Sequence, residues 1–224
     1  MQYPRPRKLT QIVDRQKDVL KGKRVLDIAC NQGLTTVQIA KYAERVTAFD
    51  IRADQVKLAP DLPNVQYLVG DALDESFITP LLLDTDVVMN CGMFYHLFNH
   101  FGYLELVCKP HIEYVVIETI YGPESSSPGM FWDFEDTSIT LNGSYRGLAT
   151  IPNGTPNLAW IMKAANVFNF GVDYVEKFLT DYPGLDSDSN KRMVVRLFNK
   201  ALPKKSLTIE ETWEWDTRRL ICQT

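Results

Sequence analysis

The stretch Val25-Leu26-Asp27-Ile28-Ala29-Cys30-Asn31-Gln32-Gly33 decides how this chain is read. Arg24–Ala29 reads as a strand and Leu34–Tyr42 as the helix that follows it, with the small-residue turn Ala29–Gly33 between them. A strand that ends in such a turn and opens a helix brings backbone N–H groups to one ligand face. Asp27 lies in the strand end, two residues before the turn. Asn31 belongs to the non-glycine types most tolerant of a left-handed backbone. Ala29 adds one methyl, and Gly33 stands where the helix must pack closely.

Moving outward, short apolar runs alternate with helical patterns, which argues for parallel βαβ units. Arg45–Phe49 is a second strand, Asp54–Leu58 a short helix, Val65–Val69 a third strand and Glu75–Leu82 a helix. Asp86–Cys91 is a fourth strand. Leu97–Cys108 carries apolar residues at helical spacing. Tyr114–Ile120 is strongly β-branched and lacks polar alternation, so it is expected in the centre of the sheet. Residues 1–22 read as an arm and a helix stopped by Lys21-Gly22-Lys23. Pro156–Ala165 reads as a helix with Pro156 in its first turn, and Phe170–Phe178 and Met193–Leu197 as two late strands around the turn-rich Asp181–Asn190. Leu207–Ile221, with Trp213 and Trp215, is either an edge strand or a docking segment. The expectation is a single α/β domain: an open, mostly parallel, Rossmann-like seven-stranded sheet with helices on both faces.

One segment breaks the rhythm. Tyr121–Thr155 is rich in Gly, Ser, Pro and Asn, and a connection of that length is usually functional. It reads as a substrate-side insert or lid after the fifth strand, with Tyr121, Trp132, Asp133, Glu135 and Arg146 as residues that close over a substrate or form the insert's own small core.

Composition bounds the function. The 224 residues are 45% hydrophobic and 23% charged, with a formal charge of −4 and a pI near 5.4. That suits one globular domain with a substantial core. It disfavours broad phosphate binding and hence a nucleic-acid partner. Cys30, Cys91, Cys108 and Cys222 are scattered, with no CxxC pair and no His at metal spacing, so neither a disulfide framework nor a metal site is expected. The N-terminus lacks the apolar stretch of a signal peptide, and no run approaches the roughly twenty apolar residues that span a bilayer. A cytoplasmic enzyme without membrane contact is the expectation.

Three acidic or glycine-bearing strand ends follow in order. Asp27 precedes the first turn. Asp50 ends the second strand, followed by Ile51, where a carboxylate accepts two hydrogen bonds from a ribose diol or is simply solvated. Gly70-Asp71-Ala72 follows the third strand, where the plain alternative is a turn. After the fourth strand comes Asn90-Cys91-Gly92-Met93-Phe94-Tyr95-His96-Leu97.

Together these resemble the class I S-adenosylmethionine-dependent methyltransferases. Their first motif runs roughly acidic-x-Gly-x-Gly-x-Gly, against Asp27, Ala29, Asn31 and Gly33 here, so only the last glycine is kept. The Gly-x-x-Tyr-His-Leu segment resembles a subset that includes relatives of tRNA wobble-uridine modifying enzymes. The resemblance implies S-adenosylmethionine as cofactor, held by Asp27, Ala29, Cys30, Asn31, Gly33, Asp50, Ile51, Gly70, Asp71 and Ala72. By the same resemblance Asn90, Cys91 and Gly92 pass beside its methionine end, and Tyr95 and His96 face the methyl-transfer centre. A nicotinamide dehydrogenase shares the first turn and the acidic strand end. However, Asn31 stands where a pyrophosphate needs close backbone approach, and Gly70-Asp71-Ala72 has no counterpart in that fingerprint.

His96 is the first candidate base, because a neutral imidazole accepts a proton near pH 7; the plain alternative is a packing role. Glu118, inside the fifth strand, is the second. A buried carboxylate needs a partner, so it either binds a substrate hydroxyl or amine or pairs with a Lys or Arg. His100, one turn after His96, lies at helical spacing from it, and His111 beside Pro110 is expected in solvent. Three functions follow: methyl transfer to a small-molecule acceptor first, RNA methylation second, and a non-catalytic cofactor-binding module third, kept open by the two missing glycines.

Overall fold

The computed structural model describes residues 5–136, 150–179 and 191–203. The chain runs α1 (Arg5–Arg15), α2 (Lys17–Leu20), β1 (Arg24–Ile28), α3 (Leu34–Ile39), β2 (Arg45–Asp50), α4 (Ala53–Val56), β3 (Val65–Val69), α5 (Glu75–Leu83) and β4 (Val87–Cys91). A 3-10 turn (Phe94–His96), α6 (His100–Val107), β5 (Tyr114–Ile120), β6 (Met130–Asp136), β7 (Thr150–Pro156), α7 (Leu158–Val167), β8 (Phe170–Leu179) and β9 (Lys191–Asn199) complete it. Seven strands form one sheet in the order β3-β2-β1-β4-β5-β9-β8, while β6 and β7 pair separately. β1 to β5 are parallel, and β9 enters antiparallel between β5 and β8. After β3 the chain returns to lay β4 beside β1. That reversal opens a crevice at the carboxyl ends of β1 and β4, where open α/β sheets bind ligands.

The β-branched strands are buried on both faces, as parallel sheets require. Leu26, Ile28, Val88, Val115 and Ile117 pack on one face against Ile78 and Leu82 of α5, Leu104 and Val107 of α6, and Ile161 of α7. On the other face Val25, Val46, Val87, Met89, Val116 and Val194 meet Val13 of α1, Leu20 of α2 and Ile39 of α3. Each such side chain contributes about 1.5–3 kcal/mol through burial, which makes the sheet a rigid frame for the loops above it.

Charge ties the frame at its lower end and flank. Asp86 accepts hydrogen bonds from Arg24 N (2.9 Å), Nε (3.1 Å) and Nη2 (2.6 Å), which sets the start of β1 against β4. Arg196 of β9 is buried, and its Nε donates to Asp173 (2.8 Å) while Nη1 reaches Asp18 Oδ2 (3.1 Å). The N-terminal helices are thereby docked on the sheet.

Three local readings change. Pro156 ends β7 instead of opening a helix. Asn157 caps α7, its Oδ1 accepting from Trp160 N (2.9 Å) and Gly129 N (3.0 Å). The helix expected from Leu97 starts at His100, because Asn99 Oδ1 accepts from Gly102 N (3.0 Å) and caps it there. The Tyr121–Thr155 insert contains a β-hairpin, with Trp132 opposite Gly154. Its Arg146, like Asp181, Trp213 and Trp215, lies outside the described residues.

Candidate functional site: the crevice above β1, β2 and β4

The turn after β1 is left-handed at alternate residues: φ is 61° at Ala29, 53° at Asn31 and 75° at Gly33. These are the three positions at which glycine stands in the resembled motif. The backbone geometry is therefore kept without two of the glycines. A left-handed residue with a Cβ costs roughly 1–2 kcal/mol, and such strain is held where the surroundings over-determine it. Here Cys30 N donates to Phe49 O (2.9 Å), Asn31 N to Asp50 Oδ2 (2.9 Å) and Gly33 N to Cys30 O (2.9 Å). Gly33 also lets Tyr67 approach, since a Cβ there would lie 2.6 Å from the Tyr67 hydroxyl.

Asp27 and Asp50 are both buried beneath this turn. Thr36 Oγ1 donates to Asp27 Oδ2 at 2.6 Å. Burial pushes the Asp27 carboxyl up to about 7, with Thr36 opposing and the charge of Asp50 adding to the rise. Asp50 carries two donors on each oxygen. Oδ1 accepts from Arg52 N (3.0 Å) and Nε (2.9 Å), and Oδ2 from Asn31 N (2.9 Å) and Arg52 Nη2 (3.0 Å). Cys30 is buried, and desolvation together with Asp27 and Asp50 drives its thiol far up, so it acts as a small apolar group.

The expected residues fall into two groups. Ile51 is exposed beside Asp50, and Leu34 and Val69 are exposed at the same ends of the strands. Asp71 is half-buried, and its Oδ1 accepts from Leu73 N (2.9 Å) in a local turn. Gly70 faces Phe77, whose ring would meet a Cβ at 2.3 Å, and the Ala72 methyl is packed in the core, so only the backbone of these two residues can meet a ligand. Asn90 is fully buried, and its Nδ2 donates to Tyr103 Oη at 2.7 Å. The Asn90 Oδ1 has no hydrogen-bond partner among the described residues. Gly92, at φ 90°, turns the chain there, and its N donates to Glu118 O (3.0 Å).

Tyr95 and His96 follow, half-buried, with ring centroids 4.0 Å apart. Glu118 is buried and pairs with Arg192, Oε1 to Nη1 at 3.5 Å, which is the plainer of its two readings. Arg192 lies over the Tyr95 ring at 4.6 Å, and its Nη2 donates to Tyr95 Oη at 3.4 Å. Glu118, Arg192 and Tyr95 thus form one cluster beside Gly92. His100 leaves the site: it is buried against Phe94, Trp132 and Trp160 in edge-on ring contacts. Burial drives its imidazole down to about 4. His111 is exposed as expected, with Nε2 2.8 Å from Leu82 O.

Sequence reading missed Thr36, Arg52 and Arg192. Arg52 had a local signal, an Arg two residues after a strand-end Asp. Thr36 and Arg192 had none.

S-adenosylmethionine fits the residues present. The left-handed turn borders the crevice, Asp50 stands at the end of β2 with its paired oxygens held by Arg52 and Asn31, and exposed Ile51 and Leu34 offer apolar contact. Asn31 Oδ1 is buried without a hydrogen-bond partner among the described residues.

Comparison with known proteins agrees. Residues 25–107 match the methyltransferase domain family. A 69-residue stretch is 39% identical to the magnesium-protoporphyrin O-methyltransferase of Rhodobacter capsulatus, covering 28% of this chain and 31% of that relative. The chain therefore spans about a third of that relative's length in the match. Among solved structures, the N-terminal domain of EvdMO1 with SAH bound is similar at TM-score 0.60 and 14% identity, over 85% of this chain and 80% of that one. An S-adenosylmethionine-dependent methyltransferase from Mesorhizobium loti is similar at TM-score 0.60 and 14% identity (84% and 96% covered). The magnesium protoporphyrin IX methyltransferase of Synechocystis PCC 6803, with bound SAH, gives 0.58 and 12% (87% and 83%). At these identities the structural likeness is one of fold.

Proposed function

We propose that the chain is a class I S-adenosylmethionine-dependent methyltransferase that methylates a small-molecule acceptor, a reading supported by the methyltransferase-domain match at residues 25–107 and by the fold. The observation that carries the reading is the Ala29-Asn31-Gly33 turn, whose left-handed backbone is maintained against the cost of two side chains. Backbone strain of this kind clusters at ligand sites, and here it falls on the three motif positions in succession.

When bound, the cofactor supplies a methyl group on a sulfonium, a built-in leaving group. The protein's contribution is then chiefly to hold acceptor and methyl in line. Asp50 orients the ribose, the turn shapes the floor, and the backbone at Cys91 and Gly92 borders the far end. Tyr95 and Arg192 wall the acceptor side. His96 is the base for an acceptor that must lose a proton; Glu118 is committed to Arg192 and stands behind it. A small acceptor suits a formal charge of −4, which opposes a polyanion.

Calorimetry tests the reading. S-adenosylhomocysteine is expected to bind the wild-type chain, and Asp50→Ala to weaken it by about tenfold or more through loss of two charge-assisted hydrogen bonds. A folded wild-type sample that binds neither S-adenosylmethionine nor S-adenosylhomocysteine overturns it. For His96, turnover of His96→Gln across a pH series decides: full retention removes the base role.

A further inference from the structure

The guanidinium of Arg52 occupies the place on Asp50 that a ribose diol must take. Asp50 is saturated, because a carboxylate has about four acceptor positions and all four are filled. Two of those donors are backbone N–H groups, from Asn31 and Arg52 itself, and stay whatever the side chain does. The other two, Nε and Nη2, come from the fork of Arg52, one to each oxygen at 2.9 and 3.0 Å. A vicinal diol offers the same thing: two donors, side by side, one to each oxygen.

We propose that Arg52 is a gate that mimics the cofactor's ribose, docking on Asp50 in the free protein and being exchanged, donor for donor, when cofactor binds. The inference rests on the cofactor reading above and deepens it. The pair is shielded, with Asp50 at 2% and Arg52 at 16% side-chain exposure, so solvent does little to loosen it. Arg52 stands at the amino-terminal side of the short α4, which starts at Ala53. Beside it Asp54 is exposed, and Gln55 bridges to Gln32 of the turn (3.0 Å). The buried Nη1 of Arg52 has no hydrogen-bond partner among the described residues, so the docked state is not the guanidinium's best solvated one. The exchange reduces apparent affinity by the fraction of molecules in which Asp50 is open.

The test is calorimetry with S-adenosylhomocysteine on wild type, Arg52→Ala and Arg52→Lys, with a second readout from the Arg52 Nε–H resonance in the wild type. The gate expects Arg52→Ala to bind at least about threefold more tightly than wild type. Arg52→Lys, which keeps the charge without the fork, is expected between them. The protected Nε–H signal of wild-type Arg52 should collapse to a solvent-exposed one on saturation. Equal or weaker binding by Arg52→Ala, or an Nε–H signal that stays protected in the complex, overturns the gate and leaves the cofactor reading standing. If neither wild type nor Arg52→Ala binds, the cofactor reading falls and the gate with it.

Discussion

Thr36 Oγ1 donates to Asp27 Oδ2 at 2.6 Å, joining the first helix after the crevice turn to the strand before it. Both groups are buried, and the bond spans the very residues, 29 to 33, whose backbone is left-handed. Thr36→Val removes the donor without changing shape. It is expected to destabilise the fold by about 1–3 kcal/mol by leaving a buried acceptor unsatisfied, read from urea unfolding. It is also expected to raise the Asp27 carboxyl above its present value of about 7, since Thr36 pulls it down. A carbon-detected NMR titration reads that directly.

The raised Asp27 carboxyl makes a pH prediction of definite sign. Its folded value is about 7 against an ordinary 3.8, so the folded state binds the proton more tightly. Stability from this group is full below 3.8 and is lost as pH rises through 7. Asp27→Asn is expected to flatten unfolding free energy across that window. A slope unchanged in the variant would assign the dependence elsewhere.

His100 works in the opposite direction. Its imidazole sits at about 4 against 6.5, because its pocket of Phe94, Trp132 and Trp160 excludes water. The unfolded chain binds the proton first, so stability is full above 6.5 and falls as pH drops through 4. In His100→Phe the acid-side loss between 6.5 and 4 should shrink, as measured by thermal unfolding at several pH values.

The turn itself can be probed at Asn31. Asn31→Gly accepts a φ of 53° freely, whereas Asn31→Val places a β-branched side chain there. The glycine variant is expected to keep S-adenosylhomocysteine affinity within about threefold. The valine variant should lose about 1–3 kcal/mol of stability along with much of that affinity. Equal behaviour of the two would show that the left-handed backbone is not what the site requires.

Glu118 and Arg192 form a buried pair at 3.5 Å. Removing either charge alone leaves the other uncompensated, at about 3–5 kcal/mol. The double change Glu118→Leu with Arg192→Met is expected to cost less than either single change. A double-mutant cycle from chemical denaturation measures the coupling, and additive losses would refute it.

These residues also show where sequence is legible. The β-branched runs announce β1, β4 and β5 because burial on both faces leaves no other composition for them. Asp50 and the 29–33 turn are visible because the site there is built from neighbours in the chain. Arg192 is not, since it meets Glu118 only once β9 has paired with β5 across 74 residues, and nothing in either segment marks the other. The β6–β7 hairpin is hidden because β7 carries Asn, Gly and two Pro, so its pairing with the aromatic-rich β6 comes from register, not from its own propensity. Pro156 misleads because a proline suits a helix start and a strand end alike, and Asn157 takes the cap.

The position of β9 has a consequence for biosynthesis. It is the last strand described, yet it lies inside the sheet, between β5 and β8. While the ribosome is still translating residues 121 to 190, the outer edge of β5, with Val115, Val116 and Ile117, has no neighbour to pair with. Arg196, which clasps Asp18 and Asp173, arrives at the same late moment. A nascent chain arrested before Lys191 therefore presents an open, sticky edge, and chaperone demand should peak just before β9 emerges and fall once it docks.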